Sequence, residues 1–348
     1  MAPHPPKKQL ENVTMRDVAR AANVSQSTVS RILSPSPSGS KVLISEETKE
    51  KVLAVITDLG YHPNQYARSL RGKKNHMIGM LIADIANPFY HPMVRAVQDV
   101  ATQYHYSVMI ANSDHLREKE LLFCESILRR PVDGAVIIPY HLNDDDLKNL
   151  IARTGMAISA VGNHIQYPEV DITYADDTKA SYEVVRWLIE QRGHQRIAMI
   201  CANHKFPVTV RRYGAFCKAM ADAGLPVPAE YVIEGDWSDE SGRRAISSLL
   251  KLPVPPTAVF AASDTIAIGA LEAAEEMHCR VPEDIAIIGF DDIPAASWVR
   301  PRLSTVAQYP GEMGALLAKA LFQRILGEYS GPSRHFEVPC RFIERESA

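Results

Sequence analysis

Two groups of residues in this 348-residue chain have types and spacing suited to chemistry. The first is Gln26, Ser27, Thr28, Ser30 and Arg31. On a helix these polar groups share the outer side, while Val29, Ile32 and Leu33 face inward. Glutamine can pair with adenine and arginine with guanine in a DNA major groove, and hydroxyls suit phosphates or bases. A small helical bundle with a solvated polar face is the alternative reading of the same residues. The second group is scattered. Phe89 and Tyr90 follow a strand end, where they fit either a core or an aromatic wall. Asp291 ends an apolar strand, where a carboxylate is costly unless it is used. Asp264 suits a helix N-cap, with Ser263 beside it within reach of a ligand. Trp237, in Gly235-Asp236-Trp237, fits core packing or a binding wall. Arg212 begins a helix after a loop and fits a surface ion pair. Arginine, carboxylates and aromatics together suit a polyol, usually a sugar. Its C–H face lies on the rings and its hydroxyls meet the charged groups.

The elements that must position the first group lie near the N-terminus. Residues 1–13 are rich in Pro and Lys and read as a disordered tail. Thr14 followed by Asp17 is a capping-box variant, and Met15, Val18, Ala19 and Ala22 then share a helical face. Asn23-Val24 breaks that helix. Ser25 caps a second, Gln26–Leu33, and the polar run 34–41 follows. Ser45 caps a third, with Glu46 and Glu47 against its positive end. Val52, Val55, Ile56 and Leu59 line one side of it and Gly60 stops it. Two short helices across a tight turn, backed by a third, form a helix-turn-helix arrangement. Pro63 and Gly72 then bracket about two helical turns, too short to be stable alone in water.

The second group sits in a longer region of alternating elements. Strands are expected at 77–83, 107–111, 135–139, 157–161, 197–201, 232–234, 258–261, 285–290 and 336–339. Helices are expected near 90–103, 116–129, 144–153, 178–192, 210–223, 239–251, 264–278 and 310–327. Such alternation predicts parallel sheets with helices on both faces. There are too many units for one comfortable sheet, so two doubly wound subdomains are expected. Ligands in such folds sit at the carboxyl ends of strands and between domains. Ile78–Ile82 and Ile197–Cys201, each followed by polar residues, weakly suggest a repeat.

Charge divides the same way. The formal net charge is −3, but residues 1–75 carry +6 and residues 76–348 carry −9. A basic head on an acidic body suggests two tasks, one of them on a polyanion. No signal peptide or membrane span is expected. Five scattered cysteines without a CxxC pair argue against a disulfide framework or zinc ribbon and fit a reducing cytosol. No G-x-S-x-G, G-x-G-x-x-G or Walker loop occurs, and the histidines show no zinc spacing, so neither an enzyme nor a metal or other cofactor is expected.

The stretch Thr14–Arg31 resembles the DNA-binding head of the lac repressor (LacI/GalR) family of bacterial transcription regulators. Gly60-Tyr61-His62-Pro63-Asn64 and Ala67-Arg68-Ser69-Leu70 resemble its hinge. Ile85–Tyr90, Arg212–Phe216, Ser263–Ala270, Val281–Asp292 and Arg341–Arg345 resemble its effector domain, which shares its fold with periplasmic sugar-binding proteins. The implied architecture is an all-α helix-turn-helix head plus an α/β body of two doubly wound parallel-sheet subdomains, periplasmic-binding-protein-like. The implied boundaries are tail 1–13, head 14–61, hinge 62–75 and body 76–348. The body divides into 76–176 with 304–328, and 177–303 with 329–348, the chain crossing near 176, 303 and 329. The resemblance implies DNA contacts by Thr14, Ser25, Gln26, Ser27, Thr28, Ser30 and Arg31, and in the hinge by Asn64, Ala67, Arg68 and Leu70. Leu70 takes the place of a leucine that wedges into the minor groove. The implied effector residues are Phe89, Tyr90, Asp176, Arg212, Trp237, Ser263, Asp264 and Asp291, with Arg212 as a ligand clamp and Trp237 at a stacking position. The connection 34–44 is longer than the family's usual loop.

The expected protein is a cytoplasmic, homodimeric regulator, with a tetramer left open. It binds a pseudo-palindromic double-stranded operator, most simply as a repressor of carbohydrate genes, under control of a sugar-like effector. A sugar-binding receptor without DNA function is the competing reading, and a sugar-acting α/β enzyme the third.

Overall fold

The computed structural model describes residues 13–33, 44–61, 74–130 and 132–348. The chain divides into two compact units, Met1–Lys73 and Lys74–Ala348.

In the first unit, helix α1 (Met15–Ala21), α2 (Gln26–Ile32) and α3 (Glu46–Leu59) enclose a small core. Local polar groups start each helix. The Thr14 amide and hydroxyl both donate to Asp17 Oδ2, at 3.0 and 2.6 Å. Ser25 Oγ accepts the Thr28 amide at 3.1 Å and Ser45 Oγ accepts that of Thr48 at 3.2 Å. These caps satisfy amides that have no partner inside the helix. Asn23 takes a left-handed backbone (φ 54°) in the turn, and Gly60 (φ 59°) ends α3. Val18, Ala19, Ala22, Val29, Val52 and Tyr61 form the core. Leu59, expected on the inner side of α3, is exposed instead. Tyr61, just past the helix, supplies the buried side chain.

The second unit holds two sheets. The first lobe has a six-stranded parallel sheet ordered β11-β5-β4-β3-β1-β2. Its strands are β1 (Met77–Ile82), β2 (Ser107–Asn112), β3 (Gly134–Ile137), β4 (Ala157–Val161), β5 (Val170–Ala175) and β11 (His335–Val338). Helices α4 (Tyr90–Gln103) and α11 (Pro310–Ile325) share one apolar cluster with β1. Helices α5 (Arg117–Arg129) and α6 (Asp144–Thr154) share another on the opposite side. The second lobe has a four-stranded parallel sheet, β7-β6-β8-β9, formed by β6 (Ile197–Ala202), β7 (Val232–Gly235), β8 (Ala258–Ala261) and β9 (Ala286–Ile288). Helices α7 (Asp177–Glu190), α8 (Pro207–Asp222), α9 (Asp239–Leu249) and α10 (Asp264–Glu276) cover it around one core. Single bridges, Ile288 with Ser304 and Asp291 with Ala307, lay β10 (Thr305–Ala307) beside β9. Strand β12 (Arg341–Ile343) pairs antiparallel with β10.

The eight body helices fall where the periodicity places them, but three strands, β5, β10 and β12, were not foreseen. The lobe boundaries also shift. Residues 304–307 lie with the second sheet, not the first, through the bridge and pairing just described. Strand β11 pairs with β5 in the first sheet, His335 opposite Ile172 through Val338 opposite Ala175, so residues 329–338 do not belong to the second lobe. The chain therefore passes between lobes after Ala175, after Ala307 and between Val338 and Arg341.

A buried ion cluster fastens this region. Asp171, fully buried on β5, accepts from Arg324 Nε at 2.6 Å and Nη2 at 2.8 Å, and from Arg334 Nη2 at 2.8 Å. It also accepts the Arg334 amide at 2.9 Å. Burial alone would raise the Asp171 pKa, and the hydrogen bonds from Arg324 and Arg334 more than reverse this.

Candidate effector pocket and nucleic-acid interface

On α2, Gln26, Ser27 and Arg31 are exposed, while Thr28 and Ser30 are half-buried. Val29, on the opposite side, is completely buried. The helix thus holds its place through one side and leaves the other for a partner. Thr14 and Ser25 are engaged in helix starts; the Ser25 hydroxyl also meets those of Ser27 (2.6 Å) and Thr28 (2.9 Å). Asn64, Ala67, Arg68, Leu70 and most of the long connection lie outside the described residues.

In the second unit, loops from both lobes converge on one cleft of about 810 Å³, counting its open mouth. Every contributing loop follows the carboxyl end of a strand, as expected for doubly wound sheets. The first lobe supplies Phe89 and Tyr90 after β1, His115 after β2, Tyr140 after β3 and His164 after β4. The second supplies Arg211 and Arg212 on α8, Trp237 after β7 and Asp291 after β9. Asp177 opens α7 at the first crossing.

The charged floor is tightly built. Arg211 Nε and Nη2 clamp the two Asp177 oxygens, each at 2.9 Å. Arg212 Nε lies 3.7 Å from Asp177 Oδ2, its Nη1 donates to the Ala262 carbonyl at 2.5 Å, and its guanidinium rests 3.7 Å above the Phe290 ring. Stacking on a ring fixes the plane of a guanidinium and aims its remaining donors. Arg212 Nε is buried without a hydrogen-bond partner, as is Trp237 Nε1. Asp291 sits at φ 122°, a conformation rare outside glycine, held because its amide donates to the Val306 carbonyl at 2.7 Å. Such strain is tolerated where surrounding structure fixes it and is common at ligand sites. Gln308 Nε2 donates to Asp291 Oδ1 at 2.6 Å.

Burial pushes the Asp291 carboxyl up to about 8, against the pull of Arg212. The native state therefore holds a proton that the unfolded chain has released above about pH 4. Stability on this account falls as pH rises from about 4 to about 8 and then levels. Asp291→Asn removes this dependence. Its thermal midpoint should gain on the parent by several degrees between pH 5 and pH 8. A difference that stays constant with pH would refute the assignment.

The aromatic wall joins the lobes. His115 meets Tyr140 edge-on at 4.5 Å and stacks at 6.3 Å from Trp237. Phe206, just before α8, lies 5.3 Å from Tyr140 and 6.4 Å from Trp237. Tyr90 and Tyr140 share a hydroxyl–hydroxyl bond of 2.9 Å. Buried Glu120 holds the 140–142 loop by accepting the amides of Tyr140 (2.8 Å), His141 (3.1 Å) and Leu142 (2.8 Å).

Phe89, Tyr90, Arg212, Trp237 and Asp291 are thus brought together. Three expected contacts are not. Asp176 caps α7, accepting the Lys179 amide at 3.0 Å, and its neighbour Asp177 faces the cleft instead. Ser263 caps α10, accepting the Ile266 amide at 3.2 Å. Asp264 is fully buried and accepts the Thr305 hydroxyl (2.5 Å) and the Ile293 amide (2.8 Å), tying the loop after β9 to β10. His115, Tyr140, His164 and Arg211 escaped the sequence reading. Adjacent arginines needing a counter-charge were the one usable signal, and their partner is 34 residues earlier. Among the described residues no cluster of His, Cys, Asp or Glu is placed to hold a metal, and no helix is long and apolar enough to cross a membrane.

Comparison with known proteins matches both units. Residues 14–64 fit the model of bacterial regulatory proteins of the lacI family, and residues 153–348 fit a periplasmic binding protein-like domain. Catabolite control protein A of Priestia megaterium is 34% identical over 339 residues, 97% of this chain and 99% of that protein. The chain belongs to the LacI family of bacterial regulatory proteins. The lac repressor dimer bound to operator and the anti-inducer ONPF aligns with a TM-score of 0.79 at 27% identity, covering 97% of this chain and 99% of that one. The transcriptional regulator CelR–cellobiose complex aligns with a TM-score of 0.71 at 27% identity, covering 97% and 100%. The similarity of this LacI-family chain to regulators runs through the helix-turn-helix head. The body's receptor-like fold therefore serves a regulator, which displaces the reading as a receptor without DNA function or as an enzyme.

Proposed function

We propose that this LacI-family protein is a cytoplasmic transcriptional repressor that binds a pseudo-palindromic operator as a homodimer and answers to a small ligand, of sugar type, held in the body's cleft. The observation that carries the reading is α2, anchored by fully buried Val29 and presenting exposed Gln26, Ser27 and Arg31. Bidentate pairing by such side chains discriminates bases by about 1–3 kcal/mol per contact. Leu70, by its place in the hinge, supplies the minor-groove wedge. Ligand and operator affinities are reciprocally coupled: whatever the ligand does to DNA binding, DNA does to ligand binding. Specific binding falls steeply with salt, because cations of the head displace counterions from phosphates.

Selection from a random duplex library tests this. The full chain should enrich a two-fold-symmetric sequence, and recovery of no sequence would overturn the reading. On the selected duplex, Leu70→Ala should weaken binding about ten- to a hundredfold, the scale of losing a wedge that stabilises bent DNA. Its ligand affinity in the absence of DNA should be unaltered. Equal operator affinity of variant and parent in gel shifts removes the wedge role.

A further inference from the structure

We propose that two imidazoles, His115 and His164, set the ligand chemistry of the cleft and restrict it to an uncharged polyhydroxyl molecule, refusing its phosphorylated or carboxylated counterparts. The inference rests on the cleft being the effector site.

His164 lies on the loop after β4, and both its ring nitrogens are buried with no hydrogen-bond partner. The backbone is shaped around the ring. Gly162 adopts φ 109°, and a Cβ there would stand 2.8 Å from His164 Nδ1 and Cε1. A side chain at 162 would push the imidazole out of its seat. His115 lies on the loop after β2 with its Nδ1 likewise buried and unpartnered. Its position is fixed by the Asp114 amide donating to Ala83 at 2.7 Å and by the His141 ring bonding the His115 carbonyl at 2.8 Å. Buried polar atoms are nearly always paired, and each exception needs an explanation. Here both rings line the cleft, so a bound molecule completes them.

The chemistry of that molecule follows from the donors and acceptors. Burial lowers the pKa of both rings, His115 to about 4, and Arg211 adds to the effect at His164. Both are therefore neutral near pH 7, and a neutral imidazole offers one N–H and one lone pair. A hydroxyl group, which accepts and donates, satisfies both functions. Phosphate or carboxylate accepts only, and against His164 it would leave a buried lone pair facing negative charge. Arg211 is already committed, its Nε and Nη2 spent on the two oxygens of Asp177. An anion seated on Arg211 would have to draw it from Asp177, whose side chain is only 5% exposed. Stranding that carboxylate without its partner is costly. The rings of Trp237 and His115 are left to cover the apolar face of the sugar ring.

The test is a thermal-shift panel on the full chain, confirmed by calorimetry, using pentoses, hexoses, disaccharides and nucleosides beside their phosphates and uronic acids. The strongest ligand should be uncharged and bind at least about tenfold more tightly than its phosphate. A phosphate or acid as the strongest ligand overturns the proposal. For the best sugar, His164→Phe, which keeps bulk and removes both nitrogens, should lose about ten- to a hundredfold in affinity and narrow the sugar-to-phosphate ratio. His164→Gln should recover part of the loss, with folding followed by the thermal midpoint. Wild-type affinity and selectivity in both His164→Phe and His115→Phe overturns the role of the imidazoles and leaves the cleft assignment standing. A panel without a single binder strikes at the cleft assignment itself.

Discussion

Replacing Arg212 by alanine should weaken binding of the best sugar by about thirty- to a thousandfold while operator binding without ligand survives. The side chain is only 4% exposed. It lies beside Asp177, donates to Ala262, covers Phe290 and keeps one unused donor for the ligand. Removing one partner of a buried, hydrogen-bonded charge costs about 2–5 kcal/mol in binding, and each 1.4 kcal/mol is tenfold in affinity. Lysine should not restore the loss, because a point charge cannot stack flat on Phe290 and reach Ala262 together. Calorimetry on parent, Arg212→Ala and Arg212→Lys decides the matter. Affinities within threefold of one another would show that the guanidinium merely fills space.

A second large effect belongs to stability. Asp171→Ala should destabilise the body by about 3–5 kcal/mol, the usual cost of stranding buried charge. Asp171 is the acid that Arg324 and Arg334 share, and those side chains are only 10% and 22% exposed. For a domain of this size each kcal/mol moves the midpoint by roughly 2–4 °C, so calorimetric unfolding should occur on the order of 10 °C lower. The pKa of Asp171 is lowered in the fold, so its contribution is present near neutral pH and fades as acid protonates it. A shift of a degree or less would mean that the two guanidiniums find other partners.

Asp171 also explains one limit of the sequence reading. Val170–Ala175 reads V-D-I-T-Y-A, and a charge in second place hides a strand whose every residue but Tyr174 is buried. The partners that make the carboxylate acceptable lie more than 150 residues away. Strands β10 and β12 escaped because each is three residues outside any long apolar run, whereas the equally short β9 lies within the run 285–290. Helices were legible almost to the residue because their starts are written locally, as at Thr14, Ser25 and Asn143. At Asp176, Ser263 and Asp264 the same local signals point to the capping or loop-tying bonds that the side chains make, and none of the three lines the cleft. Asp291 was legible as a carboxylate ending an apolar strand, and Arg212 only through the family resemblance. His115 and His164 were not, since what marks them is the absence of a partner in three dimensions.

The corrected lobe boundary has a mechanical consequence. Two of the three crossings leave the first sheet from Ala175 and Val338, which are neighbours in the β5–β11 ladder. Strands bonded side by side behave as a ribbon, pliant across its face and stiff within its plane. Both crossings therefore start side by side, and the lobes are tied together along one narrow strip. A ligand that fills the cleft sets an angle, and an angle is what this joint can transmit.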